Sequence, residues 1–151
     1  MPTNKMPIIG WREWVSLPDF GPVITKAKVD TGARTSALHA YYVEPFTKAG
    51  MPWVRFGLHP LQGDLDTAVD CEAPVVDRRQ VTDSGGHREM RYVITTAVQL
   101  GETRFNAEIT LTDRETMRFR MLLGRTALKT RFLVNCNRSF MLGGNASHPP
   151  E

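Results

Sequence analysis

The segment Val23-Ile24-Thr25-Lys26-Ala27-Lys28-Val29-Asp30-Thr31-Gly32-Ala33 decides how this chain is interpreted. Its first seven residues alternate, with Val23, Ala27 and Val29 on one side and two lysines on the other. A period of two is typical of a half-buried β-strand. The strand therefore leads directly into a carboxylate, a small hydroxyl side chain and a glycine.

The tripeptide Asp30-Thr31-Gly32 has the residue types that acid–base chemistry needs at a strand end. Gly32 lets the backbone turn sharply, Thr31 can anchor that turn, and backbone N–H groups can hold the carboxylate of Asp30. A carboxylate that activates water must first be positioned. Because Asp and Gly are also common in ordinary turns, the tripeptide alone leaves a purely structural loop open.

The same alternation recurs along the chain and predicts an all-β barrel or sandwich. In Arg104–Thr112 the apolar residues from Phe105 to Leu111 form one face, and Thr110 belongs to the opposite, polar face. One short helix is predicted at Arg125–Lys129, after Gly124. Further strands are predicted at Met90–Leu100, Trp11–Leu17, Thr35–Tyr42, Trp53–Leu58, Val75–Val81, Met121–Leu123, Phe132–Asn135 and Ser139–Leu142.

Turn residues separate these strands. Asp83-Ser84-Gly85-Gly86-His87 predicts a hairpin tip, Leu100-Gly101-Glu102 a tight link and Asn135-Cys136-Asn137 another turn. Residues Gly57–Asp70 are predicted to form a loop. We expect one domain over residues 8–143, with flexible segments at 1–7 and 144–151.

Composition excludes several classes of protein. With 41% apolar and 23% charged residues, a chain of 151 residues is neither disordered nor fibrous. A net charge of +3 is too small to favour nucleic acid as a partner. Cys71 and Cys136 lack metal-ligand spacing, so we expect reduced thiols and a cytoplasmic protein. No apolar run reaches the length of a membrane-spanning helix, and no membrane partner is expected.

Three motifs together resemble the retropepsin-like aspartic proteases. They are Gly10-Trp11-Arg12-Glu13, Lys28 to His39, and Met121-Leu122-Leu123-Gly124-Arg125. The chain is most similar to a bacterial branch of that family, and the resemblance spans about residues 8–143. It implies a closed barrel of short antiparallel strands, with a flap hairpin over the substrate and one short C-terminal helix.

The resemblance also implies a mechanism. Asp30 is the catalytic carboxylate, and Thr31 and Gly32 hold its loop. Hydrolysis by this route uses two carboxylates that share one proton. Because the chain carries one such tripeptide, a homodimer would supply the second carboxylate. No metal or other cofactor is implied.

Members of this branch also resemble peptidases that act with an ATP-grasp glutamate ligase on a ribosomal protein. That similarity implies an acidic peptide or a glutamate-tailed ribosomal protein as substrate, and a functional link to such a ligase. Arginine suits this role because its guanidinium pairs with carboxylates through two hydrogen bonds. Residues expected to contact substrate are Ala33, Arg34, Arg79, Gly85, Gly86, Arg88 and Arg91. Residues expected to support the catalytic loop are Thr35, Leu123, Gly124 and Arg125.

Two other functions stay open. The barrel could bind acidic tails through Arg34 and its neighbours without hydrolysing them. Alternatively, it could be a zinc metallohydrolase, since the branch is often labelled as ATP-dependent zinc proteases. The sequence has no His-Glu-x-x-His, its four histidines have no ligand spacing, and it has no phosphate-binding Gly-rich loop.

Overall fold

The computed structural model describes residues 6–61, 66–82, 85–113 and 118–143. Within these ranges most residues lie in β-strands, joined by a 3-10 turn at Pro18–Phe20 and one α-helix, α1 (Arg125–Leu128). No helix in the described residues is long and apolar enough to span a membrane. The strands are β1 (Ile8–Ile9), β2 (Arg12–Leu17), β3 (Val23–Val29), β4 (Ser36–His39), β5 (Tyr42–Lys48), β6 (Met51–Leu58), β7 (Val69–Pro74), β8 (Asp77–Thr82), β9 (Arg88–Leu100), β10 (Thr103–Thr112), β11 (Met121–Leu123) and β12 (Leu133–Val134).

Six strands close into a β-barrel in the order β10-β4-β11-β3-β2-β9. Pairing of β9 with β10 completes the ring, and β8 extends it as the outer strand of the β8–β9 hairpin. Strands β5, β6 and β7 form a separate three-stranded sheet, and β1 pairs with β12. The predicted all-β closed barrel with one short helix is confirmed.

Alternation of side chains builds the core as the sequence indicates. In β3 every second residue is buried, and in β2 the buried positions are Glu13, Val15 and Leu17. Thr110 is an exception: it was predicted on the polar outer face of its strand but is only 2% exposed. The side chain of Arg91 contacts the Thr110 hydroxyl, so this face of β10 is also covered here.

The barrel is not purely antiparallel, and this part of the prediction is wrong. Strand β10 pairs in parallel with β4, and β11 pairs in parallel with β3. Local alternation defines a strand but not the direction of its partner, which depends on connections distant in sequence. In the parallel β3–β11 pair both strands end together, at the Val29 and Leu123 pair.

Three other predictions need correction. Ser139–Leu142 forms turns instead of a strand, because the carboxylate of Glu13 accepts hydrogen bonds from the amides of Met141 and Leu142. The predicted strand Thr35–Tyr42 is two strands, β4 and β5. Both ends of the predicted loop Gly57–Asp70 lie in strands, β6 and β7, and residues 62–65 lie outside the described residues.

Other boundaries are confirmed closely. Strands β3 and β11 match their predicted limits, and α1 ends one residue before the predicted end. Strands β8 and β9 form the predicted hairpin, with Thr82 opposite Arg88. Asp83 and Ser84 of its predicted tip lie outside the described residues, as do residues 1–5 and the predicted tail 144–151. The proposed domain limits therefore stay a prediction.

Candidate active site

Asp30 lies where two parallel strands end side by side. Its backbone amide donates a hydrogen bond to the carbonyl oxygen of Leu123 at 2.9 Å, which continues the β3–β11 pairing by one residue. The residue is half-buried. The carboxylate therefore projects from a rigid, hydrogen-bonded strand end into an accessible position.

The loop after Asp30 turns back on the carboxylate. The amide of Gly32 donates to Oδ1 of Asp30 at 2.9 Å, and the amide of Ala33 donates to the Asp30 carbonyl oxygen at 3.2 Å. A hydrogen bond from a backbone amide fixes the orientation of a carboxylate. These contacts give Asp30 the fixed position that general acid–base catalysis requires.

Helix α1 and the residue before it pack directly against this loop. The amides of Arg125 and Thr126 donate to the carbonyl oxygens of Ala33 (2.7 Å) and Arg34 (3.0 Å). A Cβ atom on Gly124 would lie 2.7 Å from the carbonyl carbon of Thr35, so this position accepts no side chain. The four residues predicted to support the loop thus lie together beside it.

Arg125 adds a side-chain brace. Its Nη1 atom donates to the carbonyl oxygens of Thr31 and Gly32, each at 3.1 Å. The side chain is exposed, yet it holds both peptide units that follow the aspartate. This geometry fits the predicted support role of Arg125.

An open depression of about 670 Å³ lies beside the loop. Three of its lining side chains, Arg34, Arg125 and Lys129, are cationic, and none of the lining residues is acidic. The remaining lining residues are Thr31, Thr126, Leu128, Phe132 and Val134. The depression therefore combines positive charge with apolar side chains, and Thr31, the residue after Asp30, lies in its wall.

Arg79, predicted to contact substrate, pairs with carboxylates of the protein. It donates to Oδ2 of Asp77 at 2.7 Å and contacts Oε1 of Glu108 at 2.9 Å. These hydrogen bonds raise the pKa of the Arg79 guanidinium, and the bond from Arg79 lowers the pKa of the Asp77 carboxyl. Arg79 thus fastens β8 to β10 across β9, and the structure does not bring it together with Asp30.

Arg91 also has internal partners. It is 9% exposed, and its Nη2 atom lies 2.9 Å from Oε2 of Glu89. Its Nη1 atom donates to Oγ1 of Thr110 at 3.3 Å. Arg88, Gly85 and Gly86 lie at the exposed end of the β8–β9 hairpin, where Gly86 has a φ of 86°.

Two polar residues make buried hydrogen bonds that the sequence did not predict. Ser36 accepts the Gly124 amide at its Oγ atom, and Thr110 contacts the Ser36 carbonyl oxygen. Ser36 stands within the motif around Asp30, which is the only signal that pointed to it. Nothing in the sequence indicated that Thr110 is buried, because it falls on the polar face of an alternating strand.

In the part of the chain that the structure describes, histidine and acidic side chains do not form a cluster at this site. Among the described residues, no group of three or more His, Cys, Asp or Glu side chains is arranged to hold a metal ion. His39 is buried on β4, with its Nδ1 atom 3.3 Å from Nη1 of Arg120.

Comparison with known proteins places this geometry in context. Residues 8–143 match the model of a family described as RimB-like, retropepsin-like aspartic endopeptidase RimB. A protein of known structure from Legionella pneumophila, Lpg0085, described as of unknown function, has a TM-score of 0.77 and 26% identity. That similarity covers 90% of this chain and 98% of the Legionella chain.

Longer relatives carry another name. Proteins called probable alpha-L-glutamate ligase from Shewanella pealeana and Desulfotalea psychrophila are 48% and 44% identical to this chain. The alignments cover 95% and 85% of this chain but only 31% and 28% of those proteins. The chain therefore spans less than a third of the length of these relatives.

Proposed function

We propose that this chain, which belongs to the RimB-like family of retropepsin-like aspartic endopeptidases, hydrolyses peptide bonds in acidic substrates. The preferred substrate is an oligoglutamate tail on a ribosomal protein. One observation carries the proposal: the Gly32 amide holds the carboxylate of Asp30 at 2.9 Å, and the next residue, Thr31, lines a depression with three cationic side chains.

The reaction needs two carboxylates, and the sequence carries a single Asp-Thr-Gly. Asp30 from each of two copies would share a single proton, because two close carboxylates cannot both ionise. The ionised carboxylate takes a proton from water, whose oxygen attacks the peptide carbonyl, while the protonated one donates to the carbonyl oxygen. Collapse of the intermediate breaks the C–N bond, and a proton passes to the leaving amine.

Exposed apolar residues beside the site support the homodimer. Ile8 and Leu133 pair across β1 and β12 and are 47% and 51% exposed, and Val134 is 37% exposed. Val134 also lines the depression that contains Thr31. A second copy packed on this surface would cover these side chains and bring its own Asp30 towards the first.

The charge of the depression supports an acidic substrate. Arg34, Arg125 and Lys129 line it without an acidic neighbour among the lining residues, so carboxylates would find unopposed partners there. The names of the longer relatives also connect this kind of chain with glutamate. An ATP-grasp glutamate ligase would then supply the tails that this enzyme removes, in the cytoplasm.

Hydrolysis of a peptide that ends in an oligoglutamate tail tests the proposal. Wild type and Asp30→Asn are compared at neutral pH with a chelator present, and a peptide with a neutral tail of equal length is the control. We expect cleavage of the acidic tail by wild type alone. Cleavage that survives Asp30→Asn would show that another group is catalytic.

Two further outcomes identify the alternatives. Binding of the acidic tail by both proteins, with no cleavage by either, would identify a non-catalytic binding module. Activity that the chelator abolishes and added zinc restores would identify a metallohydrolase.

A further inference from the structure

A path of hydrogen bonds runs through the barrel from the β8–β9 hairpin towards the catalytic loop. Nη1 of Arg91, on β9, donates to Oγ1 of Thr110 on β10 at 3.3 Å. The same hydroxyl donates to the carbonyl oxygen of Ser36, the first residue of β4, also at 3.3 Å. Thr110 is 2% exposed and Ser36 is fully buried, so water does not compete for these contacts.

The path continues to the backbone beside Asp30. Oγ of Ser36 accepts a hydrogen bond from the amide of Gly124 at 3.0 Å. Gly124 follows Leu123, whose carbonyl oxygen accepts the amide of Asp30 at 2.9 Å. The guanidinium of Arg91 is thus connected, through two side chains, to the strand end that fixes Asp30.

The second terminal nitrogen of the Arg91 guanidinium also has a partner. Its Nη2 atom lies 2.9 Å from Oε2 of Glu89, and the same Glu89 oxygen accepts the hydroxyl of Thr112 at 3.1 Å. A planar guanidinium with both terminal nitrogens engaged has little freedom to reorient. At 9% exposure, it is placed to hold protein groups instead of reaching for a substrate carboxylate.

We infer that Arg91 is a positioning residue, which couples the β8–β9 hairpin to the loop that carries Asp30 through Thr110 and Ser36. The inference rests on the proposed function, because it concerns the alignment of the proposed catalytic carboxylate. It replaces direct substrate contact as the role of Arg91.

Steady-state kinetics on the oligoglutamate-tailed peptide test this inference. The variants are Arg91→Met, Thr110→Val and the double variant. Each single change should lower kcat roughly three- to tenfold, the effect of one lost buried hydrogen bond, with KM unchanged. The double variant should be little worse than the more affected single variant, because both changes interrupt one path. Thr110→Ser keeps the hydroxyl and should restore the rate.

The competing role for Arg91 gives a different pattern. If Arg91 binds a substrate carboxylate, Arg91→Met raises KM and weakens the salt dependence of kcat/KM, and Thr110→Val changes neither. That result would overturn the inference. Arg104→Met is the matched control, because it removes an exposed arginine from β10 away from the path and should leave kcat and KM unchanged.

Amide hydrogen exchange gives a readout that needs no activity. In Arg91→Met and Thr110→Val, the amides of Gly124 and Asp30 should exchange roughly three- to tenfold faster, whereas that of Val54 in the separate sheet should not change. Unchanged exchange at Gly124 in folded variants would overturn the inference. Absence of hydrolysis by wild type would instead overturn the proposed function. The exchange result alone would then show whether Arg91 and Thr110 are coupled to Gly124.

Discussion

The backbone amide of Gly124 donates a hydrogen bond to the Oγ atom of Ser36 at 3.0 Å. Both residues are buried, so this amide has no access to water. The bond joins the end of β11 to the beginning of β4, on either side of the loop that follows Asp30. A serine inside the motif around Asp30 therefore supports the backbone of the candidate site.

Ser36→Ala should lower the free energy of unfolding by about 1–3 kcal/mol, because it leaves the buried Gly124 amide without its acceptor. Urea denaturation measures the change. Ser16→Ala is the matched control, since Ser16 is a half-buried strand serine with no such bond in the described part of the chain, and it should change stability by less than about 0.5 kcal/mol. Equal effects of the two substitutions would contradict this assignment.

Glu13→Gln should also destabilise the fold. The buried carboxylate of Glu13 accepts hydrogen bonds from the amides of Gly10 (2.7 Å), Met141 (2.9 Å) and Leu142 (3.2 Å). A glutamine would turn an NH₂ group towards one of these amides, so we expect a loss of about 2–3 kcal/mol. Denaturation of exposed Glu102→Gln provides the control, and a loss no larger than in that variant would refute the role given to Glu13.

The parts predicted correctly are those determined by local sequence. Strand β3 shows its burial in its own alternation, and the loop after Asp30 follows from residues adjacent to the carboxylate. The parallel pairing of β11 with β3 could not be predicted in this way, because it depends on which distant strand lies alongside.

The burial of a side chain and its ion-pair partners also depend on contacts between residues distant in sequence, so they could not be predicted for the site. Thr110 alternates like a surface residue, and its hydroxyl is covered by contacts with Arg91 and Ser36, which are distant in sequence. Arg79 was expected to meet substrate, but it pairs with Asp77 on its own strand and with Glu108 on β10, which only the fold brings close. Arg34, four residues after Asp30 in sequence, does line the depression together with Thr31.

The two thiols should differ in reactivity. Burial raises the pKa of the Cys71 thiol to about 12, whereas Cys136 is exposed. Because the thiolate is the reactive species, a disulfide reagent at pH 8 should modify Cys136 quickly and Cys71 only after unfolding. Cys136→Ser should therefore show no fast phase, and a fast phase in that variant would contradict the burial of Cys71.

The same thiol gives a pH dependence with a definite sign. The folded state keeps the Cys71 proton up to about pH 12, whereas the unfolded chain releases it near its ordinary pKa of 9.0. This contribution to stability is complete below pH 9 and is lost as the pH rises from 9 towards 12. Urea denaturation between pH 8 and 11 should show a smaller fall in stability for Cys71→Ala than for wild type. Equal falls would contradict the prediction.

Arg125→Met should impair hydrolysis more than it impairs folding. The guanidinium holds the carbonyl oxygens of Thr31 and Gly32, so its loss frees the loop that orients Asp30. We expect kcat to fall about tenfold or more, whereas the free energy of unfolding falls by about 1 kcal/mol because the side chain is exposed. Arg138→Met, an exposed arginine outside the site, is the control and should keep wild-type kinetics. Full activity in Arg125→Met would exclude the bracing role.

Leu133→Asp tests the homodimer through the apolar surface beside the site. Leu133 is 51% exposed on β12, so a carboxylate there costs the isolated chain little, but it would lie within the proposed interface. Sedimentation equilibrium should show a dimer for wild type and a monomer for Leu133→Asp, and the monomer should be inactive because it has only one Asp30 at its site.

Met51→Asp is the matched control. Met51 is 60% exposed on the separate sheet, so this variant should remain dimeric and active. If Leu133→Asp stays dimeric and Met51→Asp does not, the interface lies on the three-stranded sheet. If a monomeric Leu133→Asp is fully active, the second carboxylate does not come from another copy.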